Sequence, residues 1–441
     1  MENLSRPFGR GWDEVKMITN KNITSLQTPP SGGRRAYPWI VVALLWVVAL
    51  LNYMDRQMLS TMKPSMQQDI AELQSATNFG YLMAIFLWIY GFMSPVSGII
   101  ADRLNRKWLI VASLFVWSGV TYAMGYANTF NQLYWLRAIM GVSEALYIPA
   151  GLSLIADYHS DKTRSLAIGI HMTGLYMGQA LGGFGATIAA KFSWHQTFHW
   201  FGLIGVFYAL VLMFFLKEKK AGLKAVNDVQ HKPSSIFKGL VVLFSNISFW
   251  IILFYFAIPS LPGWGIKNWL PTLFANKLNI DMATAGPLST ITIAASSFLG
   301  VIFGGILSDR WVQKNIRGRI YTSAIGLALT IPALLLIGFG DSLFNVVAAA
   351  FCFGFGYGMF DANNMPILCQ FVSSKYRATA YGLMNMAGVF AGAFITDILG
   401  KSTDAGNLGK SFAMLSGIVL VALLIQLYFL RPKATVEDDV V

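Results

Sequence analysis

Charge is scarce in this chain. Acidic and basic residues make up 12% of its 441 residues, where a soluble globular chain carries about 25%. That excludes an ordinary water-facing surface. Cysteine is nearly absent too, with Cys352 and Cys369 both inside one apolar stretch. Two such residues make neither a disulfide framework nor a metal site. Histidine is sparse, and His159, His195, His199 and His231 fall in or near polar connections. No nucleophile, base and orienting group come together at a recognisable spacing, so an enzyme is not expected. A Gly-x-x-x-x-Gly-Lys-Ser/Thr loop is missing, which removes ATP as a direct drive. No cofactor is implied. Residues 1–36 are polar and basic and do not read as a secretory leader.

What is abundant is apolar sequence, 55% of the chain. It falls in twelve runs: 37–61, 76–101, 108–127, 132–157, 165–190, 196–216, 249–275, 284–308, 320–339, 344–372, 378–400 and 410–430. Each is near the ~20 residues that cross a bilayer as a helix. In hydrocarbon the backbone must satisfy itself, so each run predicts a helix. The period-two alternation of a membrane β-barrel is missing. A net charge of +12 would suit nucleic acid, but Lys and Arg sit between the apolar runs, so the partner expected is a bilayer. With a cytoplasmic N-terminus, 25 of these cations fall on the inside. Six fall outside: Lys63, Lys191, Lys267, Lys277, Lys401 and Lys410. Arg56 and Arg137 lie within runs. This split predicts both ends on the inside.

The chain divides into an N-terminal tail 1–36, a bundle 37–216, a Lys-rich linker 217–248, a second bundle 249–430 and a tail 431–441. The halves repeat. Gly98-x-x-x-Asp102-Arg103 ends the second run and Gly305-x-x-x-Asp309-Arg310 the eighth. Gly141-x-x-Glu144-Ala145 with Pro149 lies in the fourth, and Gly358-x-x-Asp361-Ala362 with Pro366 in the tenth. Arg164-x-x-Ala167-x-Gly169 opens the fifth, and Arg377-x-x-Ala380-x-Gly382 the eleventh. Three matches in one order indicate a parallel six-helix repeat, as in transporters that rock around a central site.

In the loop Gly98-x-x-x-Asp102-Arg103-x-x-Arg106-Lys107 the chain resembles the major facilitator superfamily. The resemblance implies an all-α membrane protein of twelve transmembrane helices in two pseudo-symmetric six-helix bundles. Asn52-Tyr53-Met54-Asp55-Arg56, with Arg137-x-x-x-Gly141-x-x-Glu144-Ala145 and Pro149, is similar to the anion:cation symporters, which include sugar-acid and sialic-acid carriers. Spinster-type lipid transporters share the Asp-Arg pair and the Glu. By resemblance, Gly98, Asp102, Arg103, Arg106 and Lys107, with Asp309 and Arg310, form a cytoplasmic latch that stabilises the outward-facing state. The fifth and eighth helices meet between the halves of this fold. Gly178-x-x-x-Gly182 and Gly300-x-x-x-Gly304 are therefore expected at that seam, where small residues allow close approach.

Charges within hydrocarbon cost at least a few kcal/mol, which makes Asp55, Arg56, Glu144 and Asp361 functional candidates. Arg56 shares a helix face with Asn52 and Ser60 at spacings of four. Its guanidinium suits a substrate carboxylate through two parallel hydrogen bonds; a standing pair with Glu144 is the structural alternative. Glu144 lies ~16 Å and Asp55 ~9 Å from the outer ends of their runs at ~1.5 Å per residue. Dehydration favours a neutral carboxyl and a nearby Arg favours the charged one, so Asp55 and Glu144 are expected to couple protons. Asp361 and Asn364 are candidate contacts for substrate hydroxyls. Tyr53, Tyr90, His171, Tyr176, Gln179 and Asn385 complete the expected binding set. Pro259, Pro262, Gly263 and Gly265 make a regular seventh helix unexpected. A broken, gating segment with Tyr255, Trp264 and Asn268 on the cavity is expected instead. Where some sugar-acid members carry Gln after the Gly that aligns with Gly174, this chain has Leu175.

The function expected is proton-coupled symport of a small organic anion by alternating access. The other readings are a Spinster-type lipid carrier and, from another class, a transporter-like sensor or membrane enzyme. The protein is expected to act as a monomer in a bacterial inner membrane, with no metal and no nucleic-acid partner.

Overall fold

The computed structural model describes residues 36–218, 236–373 and 376–432. The N-terminal tail, most of the linker and the C-terminal tail lie outside the described residues. Every described element is helical. In the first half these are α1 (Tyr37–Asp69), α2 (Ala76–Arg103), α3 (Arg106–Met124), α4 (Phe130–Ala145), α5 (Tyr147–Tyr158), α6 (Asp161–Gly182), α7 (Gly185–Lys191) and α8 (Trp194–Phe215). A short α9 (Ile236–Phe244) falls in the linker. The second half holds α10 (Ile247–Leu278), α11 (Met282–Val312), α12 (Gly318–Phe339), α13 (Leu343–Asp361), α14 (Asn364–Leu368), α15 (Arg377–Asp404) and α16 (Leu408–Phe429).

The protein is an integral membrane protein. Eleven described helical stretches, counting α4–α5 and α13–α14 as one each, are long and apolar enough to span a bilayer. Their outer surface is greasy: Phe207, Phe214, Ile247 and Phe344 are all exposed. The polar residues Asn52, Thr121, Glu144 and Asn363 are buried. That inversion matches a solvent of lipid. The remaining run, α6 with α7, is diluted by His171, Thr173 and Gln179. It packs lengthwise on α1 and belongs to the first bundle.

Packing repeats as the sequence motifs do. In the first half α1 packs on α6, α2 on α4 and α3 on α8; in the second α10 packs on α15, α11 on α13 and α12 on α16. The most extensive contacts between the halves are α2 with α15 and α6 with α11.

Three local expectations are corrected. The fourth and tenth runs are not single helices. α4 ends at Ala145 and α13 at Asp361, with new segments starting at Tyr147 and Asn364. Pro149 and Pro366 explain this, because each lacks the N–H that would bond the carbonyl four residues earlier. Conversely, α10 runs uninterrupted through Pro259, Pro262 and Pro271, so the seventh helix is not broken. Third, α1 continues past Pro64 to Asp69. Asp55 is then fourteen residues from that end, ~21 Å rather than ~9 Å. Glu144 is equally far from Phe130 at the start of α4, so the two helices present their charges at one depth.

The glycine spacings are also reassigned. A side chain at Gly178 would meet the backbone of Leu50 on α1, and one at Gly300 the backbone of Phe355 on α13. These glycines close helix pairs inside each half. The seam between α6 and α11 uses Gly183 against Gly286 instead.

Candidate functional site

The face away from the described termini is shut. Asp404 at the end of α15 accepts hydrogen bonds from Ser75 Oγ (2.8 Å), Ala76 N (2.7 Å), Thr77 N (2.8 Å) and Thr77 Oγ1 (2.7 Å) at the start of α2. Thr187 Oγ1 donates to the Ala283 carbonyl at 2.8 Å, and Gln57 Nε2 to the Lys267 carbonyl at 2.9 Å. On the opposite face Gly98, Gly169, Gly305 and Gly382 border open space. A cavity of about 250 Å³ lies between the halves, with Tyr53, Trp264, Lys267, Asp361, Asn364 and Asn385 in its wall. Met172, Met365 and Tyr381, all exposed, mark its mouth on the side of the termini.

Behind Tyr53 sits the charged centre. Arg56 Nε donates to Glu144 Oε2 at 2.6 Å, and Asn52 Nδ2 donates to the same oxygen at 3.0 Å. Glu144 is fully buried and the Arg56 side chain is 10% exposed. Three rings, Tyr53, Phe86 and Tyr90, surround the guanidinium at 5.0, 4.9 and 4.6 Å. Arg56 Nη2 and Glu144 Oε1 are buried without a partner. The pair is therefore half-used: each member keeps one atom for another ligand. Removing one member of a buried pair costs about 3–5 kcal/mol, because the other charge is left uncompensated. Separation needs a replacement anion at Arg56 or a proton on Glu144.

The remaining expected residues divide into three groups. Tyr53, Trp264, Asp361, Asn364 and Asn385 reach the cavity wall. Asp361 accepts from Asn364 Nδ2 at 3.1 Å, and Asn385 Nδ2 donates to Ser94 Oγ across the halves at 3.1 Å. Tyr90 contributes through Arg56, and Tyr176 stacks edge-on with Phe298 of α11. Four residues sit elsewhere. His171 is buried beside Tyr147, Asn268 is spent on Thr396 Oγ1, and Tyr255 is bonded to Ser323 and Asn364. Gln179 lines a separate small space at the closed face with Gln57 and Lys267. Asp55, one position from Arg56, turns the other way and meets Thr121 Oγ1 of α3 at 3.4 Å. Adjacent helical residues point about 100° apart, which explains the divergence.

Among the described residues the loops expected to form a latch show no ion pair between the halves. Arg106 pairs with Asp157 at the end of α5, and Asp309 with Arg319 at 3.6 Å, each inside its own half. Arg103 and Arg310 are exposed, and the Asp102 side chain lies outside the described part.

Two residues were missed. Lys267, expected in an outer loop, is within α10 and faces the cavity. The proline-glycine cluster before it disguised a continuous helix. Arg137, noted within a run but given no role, is buried with its guanidinium 4.5 Å from the Phe86 ring, which Arg56 also contacts. Its Nε has no partner. An Arg in the middle of an apolar run was the available signal.

A family model described as Major Facilitator Superfamily matches residues 45–396. Among curated proteins, the "Hexuronate transporter" of Bacillus subtilis is 25% identical over 414 residues, covering 89% of this chain and 94% of that one. The "Probable galactarate/D-glucarate transporter" of the same organism is 24% identical, covering 91% and 94%. Among solved structures, a bacterial homolog of the human lysosomal transporter Spinster, inward-facing and unoccupied, superposes with a TM-score of 0.75 at 18% identity. It covers 93% of this chain and all of that one, and it speaks for the fold.

Proposed function

This chain belongs to the major facilitator superfamily, and from that premise we propose that it is a proton-coupled symporter of a sugar acid. The observation that carries the reading is the Arg56–Glu144 pair at 2.6 Å, with one free atom on each partner, behind a polar cavity. In this account Arg56 exchanges Glu144 for the substrate carboxylate, gaining a two-point contact. Glu144, released from its cation in a dry site, holds a proton. Neither event is favourable alone, since each leaves a buried charge uncompensated. Together they keep the centre near neutrality, which ties anion to proton.

Asp55 is a second acid close to this centre, bonded to Thr121 and sharing its neighbourhood with Arg137. We assign it a proton site that senses Arg137 rather than the substrate. The loaded halves then rock about the α2–α15 and α6–α11 seams, with the 2–3 and 8–9 loops as the latch on the terminal face. That face is taken as cytoplasmic in an inner membrane, from the distribution of Lys and Arg.

The relatives are named as a transporter, and a probable transporter, of sugar acids, and the cavity wall offers amide and hydroxyl groups in Asn364, Asn385 and Ser260. A lipid would leave these, and Lys267 with Asp361, facing acyl chains. The test is uptake into proteoliposomes of purified protein under an inward proton gradient. Hexuronate, galactonate and glucarate are compared with a lysolipid. Accumulation of at least one sugar acid that collapses with a protonophore is expected. Uptake indifferent to the gradient, or of the lysolipid alone, would refute the reading.

A further inference from the structure

The second half holds a charged couple that the mechanism above does not use. Lys267 of α10 and Asp361 of α13 both line the cavity. Lys267 follows Arg56 by 211 positions, and Asp361 follows Glu144 by 217. The spacing between Asp102 and Asp309 is 207, so Lys267 lies about one helical turn beyond the position that corresponds to Arg56, on the same face. Each half thus supplies a cation from its first helix. Each also supplies a carboxylate five residues before the proline that breaks its fourth. The first couple is closed. The second is apart: Asp361 takes a bond from Asn364, and Lys267 Nζ lies 5.1 Å from the Trp264 ring centre. Among the described residues no carboxylate comes within ion-pair distance of Lys267.

Other titratable groups do not take its place. Those interacting with Asp361 are Lys267 and Tyr255 on α10, Tyr357 on α13, Tyr53 on α1, Tyr176 on α6 and Tyr381 on α15. Phenols are neutral near pH 7, so Lys267 is the countercharge.

Charge counting then specifies the cargo. Arg56, Glu144, Lys267 and Asp361 sum to zero when all are ionised. A poorly hydrated chamber tolerates little net charge. A monoanion is balanced when one acid is protonated, and a dianion when both are. Tyr53 touches Arg56 and lines the same cavity as Lys267, so Arg56 is one ring away from the chamber that Lys267 faces. We infer that Lys267 binds a second carboxylate of the substrate and that Asp361 takes up a second proton, so that the preferred cargo is a hydroxylated dicarboxylate entering with two protons. This rests on the sugar-acid reading above.

The test uses full-length protein in proteoliposomes, with D-glucarate as the diacid and D-gluconate as the monoacid of equal carbon number. Wild type is expected to favour glucarate and to move it without creating a membrane potential. Lys267→Gln should lower the glucarate-to-gluconate uptake ratio by about tenfold, the cost of a lost charged hydrogen bond. Lys267→Arg should keep most of that ratio. Asp361→Asn should make glucarate influx electrogenic, because one compensating proton is lost. An unchanged ratio in Lys267→Gln, or glucarate influx that stays electroneutral in Asp361→Asn, would overturn the inference. So would a wild type that carries gluconate and rejects glucarate, although the sugar-acid reading would survive that result. Transport of neither acid would overturn the inference, and refusal of hexuronate and galactonate as well would remove the sugar-acid reading with it.

Discussion

Arg56 is held by four neighbours at once: Glu144 in line with Nε, and the rings of Tyr53, Phe86 and Tyr90 around its plane. A flat, delocalised cation suits that box, and a lysine ammonium does not. Arg56→Lys keeps the charge and loses the fork. Uptake of the sugar acid should fall at least about tenfold, the worth of one charged hydrogen bond, while the purified variant elutes and melts like wild type. Wild-type uptake by that variant would take Arg56 out of the binding role. The acids and Arg56 were legible in the sequence because a charge in an apolar run needs a reason. Their pairing was not. Asp55 and Arg56 are neighbours in the chain, and the rotation of α1 alone decides which of them meets Glu144. His171 and Asn268 misled in the same way: each is polar within a span, yet one packs against Tyr147 and the other joins α10 to α15.

At the level of helices, proline and glycine were the difficult letters. Pro149 and Pro366 interrupt their helices, whereas Pro259, Pro262 and Pro271 leave α10 whole. The residue type is the same, and the outcome turns on whether packing around the helix tolerates the missing bond. Lys267 was misplaced for this reason. Glycine spacing told correctly that helices approach closely, but not which helices. Gly178 abuts the backbone of Leu50, so Gly178→Val should separate α1 from α6. Overpacking of this kind costs about 1–3 kcal/mol, and a lowered thermal midpoint of the detergent-purified protein should register it. Gly169→Val, which borders open space, should leave that midpoint in place. Equal melting of the two variants would contradict the assigned packing.

The whole molecule is closed at the Asp404 end and open at the terminal end. Its repeat was readable from three matched motifs, because duplicated halves keep their turns and charges in register. Which face is shut was not readable, since it depends on contacts between residues more than 300 positions apart, such as Thr77 and Asp404. Asp404→Asn should weaken that clamp and raise the population open on the far face. Losing bonds to a charged group worth about 1.5–3 kcal/mol shifts such an equilibrium tenfold or more. Spin labels on the far ends of α2 and α15 should report a longer distance component; an unchanged distribution would show that the clamp is idle. The exchange of Arg56 between Glu144 and the substrate remains the centre of the account. Its most direct test is sugar-acid transport by Glu144→Gln in proteoliposomes, with a pH dye inside. Counterflow exchange should persist while the acidification falls by the proton that Glu144 carries, and accumulation falls with it. Uphill uptake with full acidification in that variant would contradict it.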